Sequence, residues 1–250
     1  MDAQEPIRLG PQAILFADDD LVAVDKAPGV LCDASIDPQR DHLGMALERW
    51  ARDTLPNPTA LTNQQDGPEF RAAHRLDRGT SGVVLFARNR AAATGLMKQF
   101  QDRTVSKQYQ AVVELSADAA WAVGDSIDRR SYLRHSKGAT EEVRSGGKPA
   151  QSHFEVLDID GPLALVRASP KTGRTHQLRV HLAALEAPIL GDELYGHPVH
   201  SLEAGVQARL WLHADTLEIV HPVSNERLVL RSGRTLGLQD GAPHESCSLD

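Results

Sequence analysis

The 250 residues are 41% hydrophobic and 24% charged, enough for one substantial core or two fused half-domains, and no apolar run approaches the roughly 20 residues of a membrane span. Two cysteines, Cys32 and Cys247, lie far apart and outside any CxxC, which argues against a disulfide scaffold and a zinc knuckle. A formal net charge of -7 speaks against a polyanionic partner, but residues 71–107 hold eight Lys/Arg against two acids, 129–148 six against two and 167–181 four against none.

Those three segments therefore form a basic face on an acidic body, provided folding gathers them. The start, Met1–Pro6, has neither the basic residues nor the apolar stretch of a secretory signal, so the expected location is the cytoplasm.

Residues 1–12 read as an extension. Ala13–Ala17 and Leu21–Asp25 are short apolar runs across Asp18-Asp19-Asp20, the pattern of a hairpin, and Lys26-Ala27-Pro28-Gly29 ends the second run in a turn. His42–Arg52 has helical spacing through Leu43, Ala46, Leu47 and Trp50, and the polar stretch 53–70 reads as a mobile loop. Val83–Ala87 is a buried strand. Arg90–Arg103 predicts a helix with Leu96, Met97 and Phe100 inward, and Ser106–Leu115 a strand in which Tyr109, Ala111 and Val113 alternate.

The basic, Gly-rich residues 128–148 read as a loop or extended hairpin reaching from the core, a candidate binding arm. Strands follow at Ser152–Ile159 and Leu163–Ala168. A helix starting near Thr175 would bury Leu178, Leu182 and Leu185 and leave His176 and Arg179 on another side, with Pro188 stopping it. Leu210–Val220 and Leu228–Leu230 supply late strands, and Ser232–Asp250 reads as a flexible tail beyond a catalytic domain at 13–231. Strands and helices mix without regular βαβ alternation, so the expected class is α+β with a mixed, largely antiparallel sheet.

Two motifs carry chemistry. His74-Arg75-Leu76-Asp77-Arg78-Gly79-Thr80-Ser81-Gly82 sets one carboxylate between two arginines at a turn held by the following strand. That serves either a catalytic acid kept ionised or a structural ion pair. Pro170–His181 has Gly173, Arg174 and Thr175 ahead of a helix, able to meet an RNA phosphate, while Arg179 is better placed to hold a buried carboxylate. The P-loop pattern GxxxxGK[ST] is absent, as are HExxH for zinc and GxSxG for a serine hydrolase, and the eleven histidines read as ordinary hydrogen-bonded ones.

Together these segments resemble the RluA family of pseudouridine synthases, from about Ile14 to Leu230. The motifs are Leu21–Gly29, His74–Gly82, Lys107-Gln108-Tyr109, Gly147–Gln151, Thr172–His181 and Pro188–Asp192. The resemblance implies a mixed-sheet catalytic fold with a central RNA-binding cleft, converting uridine to pseudouridine in structured RNA without cofactor or metal. Asp77 matches the aspartate that attacks C1′ or removes the C2′ proton, Arg179 would pair with it, and Tyr109 matches the tyrosine that stacks on the uracil.

Arg75 matches the arginine that fills the gap left by a flipped-out nucleotide, and His74, Arg174, Thr175, His176 and Leu178 fall in the substrate-binding motifs. Arg78 has no task beyond local charge. Glu186-Ala187-Pro188 departs from the family's frequent Gly-His-Pro, and the start leaves no room for the S4 RNA-binding domain of many relatives. The expectation is a monomer acting on a tRNA or a large-subunit rRNA stem-loop. The alternative is a non-catalytic RNA-binding or chaperone protein that keeps the fold.

Overall fold

Asp18 makes the turn between the first two strands: its Oδ1 accepts the N–H groups of Asp20 and Leu21 at 2.9 and 2.7 Å, closing the expected hairpin. A computed structural model describes residues 6–33, 40–54, 70–196, 208–239 and 242–247. In chain order the elements are β1 (Ile14–Ala17), β2 (Leu21–Lys26), α1 (Leu43–Thr54), β3 (Arg71–Ala72), β4 (Ser81–Ala87), α2 (Arg90–Asp102) and β5 (Ser106–Glu114). They continue with β6 (Ser126–Ser136), β7 (Ala139–Val143), β8 (Lys148–Asp160), β9 (Leu163–Pro170), α3 (Gln177–Ala183), β10 (Leu212–Val220), β11 (Arg227–Arg231), β12 (Arg234–Gln239) and β13 (Ala242–Cys247). The class is α+β, as expected. The chain divides into two compact units, Met1–Ser106 with Thr216–Ser232 and Lys107–Asp215 with Gly233–Asp250, the second boundary falling inside β10.

In the first unit β2 pairs antiparallel with β1 on one side and β4 on the other, and β3 adds to β4. Every residue of β4 is buried, so the strand is apolar on both faces and shows no alternation. Helix α2 is capped by Asn89, whose side chain accepts from Ala92 N–H, and it buries Ala92, Ala93 and Leu96, with Phe100 packed beside them. Met97, expected inward, is 57% exposed, because it sits about 100° around the helix from Leu96. His221 Nδ1 accepts the N–H groups of Val223 and Ser224, so its Nε2 carries the proton and donates to Asp18 Oδ2 at 3.0 Å. The long loop expected at 53–70 falls mostly outside the described residues.

In the second unit the strand order is β5-β9-β8-β6-β7, each neighbouring pair antiparallel. Ala111, Val112 and Val113 of β5 are all buried, against the expected alternation, and all three belong to one core cluster that also holds Leu190 and Trp211. The arm at 128–148 proves to be sheet: β6 is paired to β7 on one edge and β8 on the other. Arg129 binds Glu142 through two hydrogen bonds and Arg134 binds Glu141, so part of its basic charge is matched across strands.

The expected tail is also structured. Strands β12 and β13 pair antiparallel, Leu236 is 2% exposed within the core that holds Phe154 and Leu182, and its N–H donates to Gln110 Oε1 at 2.8 Å. Leu238 packs on the same core and Glu245 pairs with Arg209 and Arg234, so a few side chains and a ladder of backbone bonds order residues whose composition looked too polar. Among the described residues no helix is long and apolar enough to cross a membrane.

Candidate active site

Asp77 stands on a turn whose neighbours are pinned. Leu76 is buried, and its backbone is bracketed by Cys32: Leu76 N–H donates to Sγ at 3.3 Å and the thiol donates to Leu76 C=O at 3.5 Å. Burial pushes the Cys32 thiol pKa up, so it stays protonated and able to donate. Thr80, also buried, closes the turn through its N–H on Asp77 C=O at 3.1 Å. Asp77 between them is half-buried and Arg75 exposed, so the loop offers one acid and one arginine while its backbone stays fixed.

Arg78 has a task after all. Its Nε donates to Gly29 C=O at 2.9 Å, and its own carbonyl accepts Gly29 N–H at 2.8 Å and Lys26 Nζ at 3.1 Å. Lys26 is fully buried and donates as well to the carbonyls of Ala27 and Val30, at 3.0 and 2.9 Å. Each such bond to a charged donor is worth about 1.5–3 kcal/mol, so one lysine ties the Asp77 loop to the turn after β2. Its only trace in the sequence is a charged residue ending an apolar strand before Pro-Gly. His74, expected to bind substrate, has one ring nitrogen and a ring face engaged within this unit: its Nε2 accepts Leu85 N–H at 3.1 Å and its ring stacks on Phe100 at 5.3 Å.

The other expected site residues belong to the second unit. Tyr109 lies on β5 opposite Ala168 and is half-buried, its ring packed against the core cluster. The turn before α3 is organised by Gln177. Its Oε1 accepts Thr172 Oγ1 at 2.6 Å and Arg174 N–H at 3.1 Å, while its amide donates to Gln151 C=O and Ser152 Oγ, both at 2.9 Å. Arg174 is half-buried, with Nε on Pro149 C=O, and Thr175 is exposed. Helix α3 is only seven residues long, and Gln177 through Leu182 are all buried. Leu178 is accordingly a core residue, and the split into an apolar face and an Arg179 face does not hold, because the polar side chains are paired internally.

Arg179 does grip a buried carboxylate, and within its own unit that carboxylate is Asp192. Nε donates to Oδ2 at 2.7 Å and Nη2 to Oδ1 at 2.6 Å, with the side chains 10% and 0% exposed. Asp192 Oδ1 also accepts the N–H groups of Leu194 and Tyr195. Tyr195 completes the arrangement: Arg179 lies over its ring at 5.1 Å, and its hydroxyl accepts Thr140 N–H at 2.7 Å and shares a hydrogen bond with His176 Nδ1 at 2.8 Å. His176 adopts left-handed backbone with φ 54°, just outside the helix. Gly191 is dictated by crowding as well as by its φ of 73°, since a Cβ there would run into Arg209 C=O.

Beside this network, His181 is fully buried between Ser152 and Ser131, and burial holds its pKa down at about 4, keeping it neutral. The sequence shows Asp192 and Gln177 as members of motifs without their partners, and gives no signal for Tyr195, whose partners Thr140 and His176 lie far back along the chain.

A family model described as RNA pseudouridylate synthase matches residues 20–184. Ribosomal large subunit pseudouridine synthase C of Vibrio cholerae is 34% identical over 222 residues, which are 88% of this chain and 64% of that protein, so the chain spans just under two thirds of it. The dual-specificity RNA pseudouridine synthase RluA of Escherichia coli K12 is 34% identical over 222 residues, 88% of this chain and 91% of that one. Among solved structures, human RNA Pseudouridylate Synthase Domain Containing 1 is similar with a TM-score of 0.65 at 26% identity, covering 95% of this chain and 92% of the other.

Proposed function

The chain belongs to the RNA pseudouridylate synthase family, and from that membership we propose that it converts specific uridines to pseudouridine in structured RNA with Asp77 as the catalytic nucleophile or base. The observation that carries the reading is the fixed turn, which presents the Asp77 carboxylate between a bracketed Leu76 and a buried Thr80. The reaction is an isomerisation: the C1′–N1 bond breaks, a C1′–C5 bond forms, C5 loses a proton and N1 regains one. It consumes no oxidant, reductant or co-substrate, so a carboxylate and a held ring can suffice.

In this reading Tyr109 stacks on the uracil, Arg179 supplies the cation for the reacting carboxylate with Asp192 fixing its fork, and Arg75 fills the space a flipped nucleotide leaves. Arg174 and Thr175 border the RNA. The relatives' names include a ribosomal large-subunit enzyme and a dual-specificity RNA enzyme, which supports ribosomal RNA as a substrate, with a tRNA as the other candidate. The protein is taken to act as a monomer in the cytoplasm, without metal or nucleotide cofactor.

The test is tritium release from RNA labelled with 5-tritiated uridine, because only C5 substitution frees that hydrogen. Asp77→Asn should abolish release while leaving the thermal midpoint and RNA affinity close to wild type. Substantial turnover by that variant refutes the assignment, and binding without release by the wild-type protein would make it a non-catalytic RNA binder.

A further inference from the structure

Against the turn that Gln177 organises stands a charge on β5 that no acid among the described residues pairs. Lys107 lies on β5 two residues before Tyr109, on the same face, and both are half-buried while Ser106 and Gln108 between and beside them are exposed. The β5–β9 register, in which Tyr109 faces Ala168, brings Lys107 to the end of β9 and the turn beyond it. Lys107 Nζ there lies 3.6 Å from where a Cβ on Gly173 would stand. Among the described residues no acid pairs with Lys107, Lys171 or Arg174, and Lys107 makes no hydrogen bond. Burial pushes its pKa below the usual lysine range with no counter-charge to offset it.

Gly173 is informative because nothing internal requires it. Its φ lies outside the left-handed range, and a Cβ would meet only the lysine ammonium, at ordinary contact distance. A side chain would therefore fit the fold and cover the exposed approach to Lys107. The turn itself is rigid: Lys171 N–H bonds Gln151 C=O, Thr172 Oγ1 and Arg174 N–H both bond Gln177, and Arg174 Nε bonds Pro149 C=O while its guanidinium retains further donors.

We propose that Lys107, with Gly173 and Arg174, forms a binding site for a backbone phosphate of the RNA substrate. The inference rests on the reading that Tyr109 stacks on the target base. A two-residue step along a strand is about 6.6 Å, which suits a nucleotide whose base meets Tyr109 and whose phosphate meets Lys107. The bare glycine lets the phosphate reach the ammonium, and Arg174 adds a second, forked donor. The bland alternative is a lysine whose stem packs on the sheet while its head reaches water, and that alternative makes no demand on RNA binding.

The experiment measures RNA affinity by filter binding between about 50 and 200 mM salt, using the pooled tRNA and rRNA of cells that lack this protein, labelled with 5-tritiated uridine so that turnover is read on the same material. Lys107→Met should bind roughly ten-fold more weakly and flatten the log–log salt slope by about one ion. Its thermal midpoint should equal or exceed wild type, since an unpaired ammonium leaves the interior. Lys107→Arg should restore the slope, and Gly173→Ala should weaken binding without removing any charge.

A folded Lys107→Met with wild-type affinity and slope overturns the proposal. So does a loss confined to kcat at unchanged affinity and slope, which would put the lysine on the uracil. If Lys107→Met fails to fold, Gly173→Ala decides, and unchanged binding by it overturns the site. Absence of tritium release from the wild-type protein would refute the enzymatic reading alone, because the salt slopes judge the phosphate site separately.

Discussion

Replacing Asp192 with asparagine removes one charge from the Arg179 pair and little else, because the retained Oδ1 can still accept the N–H groups of Leu194 and Tyr195 at 3.0 and 3.2 Å. What is lost is the carboxylate that takes Nε at 2.7 Å and Nη2 at 2.6 Å from a guanidinium only 10% exposed. Breaking a buried pair from one side costs about 3–5 kcal/mol, since water cannot take over the charge left behind. That is a large share of the roughly 5–15 kcal/mol that holds a domain. The thermal midpoint of the second unit should fall by on the order of 10 °C.

Urea unfolding followed by tryptophan fluorescence measures the loss directly, because Trp211 sits in that unit's core. Turnover should fall with it, as a guanidinium without its fork no longer holds one orientation. The double variant Arg179→Met/Asp192→Asn should recover most of the lost stability while staying inactive, which separates the structural worth of the pair from its use in chemistry. A cost for Asp192→Asn below about 1 kcal/mol, the range of a surface pair, would refute the argument, as would turnover by the double variant.

Cys32→Ala should destabilise the first unit by about 1–3 kcal/mol, by stripping the acceptor from Leu76 N–H, and lower kcat more than it changes KM; a thiol reagent should label exposed Cys247 well before buried Cys32. His181 titrates near 4 when folded and near 6.5 when unfolded, so its contribution is present above pH 6.5 and lost as pH falls toward 4, on the order of 3 kcal/mol in all. A urea midpoint that stays flat from pH 7 to 4.5, or that varies equally in His181→Gln, would contradict it. On the β6–β7 hairpin and its exit, neutralising exposed Arg130 and Arg144 should reduce the RNA salt slope more than neutralising Arg129 and Arg134, whose charges are matched by Glu142 and Glu141; equal effects would mean the cross-strand pairs open on binding.

Local patterns settled much of this protein from the sequence. The Asp18 turn, the buried run Val83–Ala87, the strand through Tyr109 and the loop around Asp77 each depend on neighbours within a few residues, where side-chain period and turn chemistry suffice. Asp77 and the class of fold were legible for that reason, and the family followed from several such motifs in order.

Tertiary structure decided what depends on distant partners. Residues 128–148 read as a loop or extended hairpin reaching from the core because their composition is polar, and backbone ladders on both edges of β6 make its part of them sheet. Residues 234–239 and 242–247 looked too polar to order, but backbone pairing, Leu236 and Leu238 on a core made by other strands, and the ion pairs of Glu245 hold them. Cys32 and Tyr195 carry no local signature, and Lys26 and Asp192 only a motif without its distant partner, since a long-range hydrogen bond is a property of two places in the chain. Sequence placed the acid proposed for the site, and folding chose the residues that hold its loop and fix the arginine on Asp192.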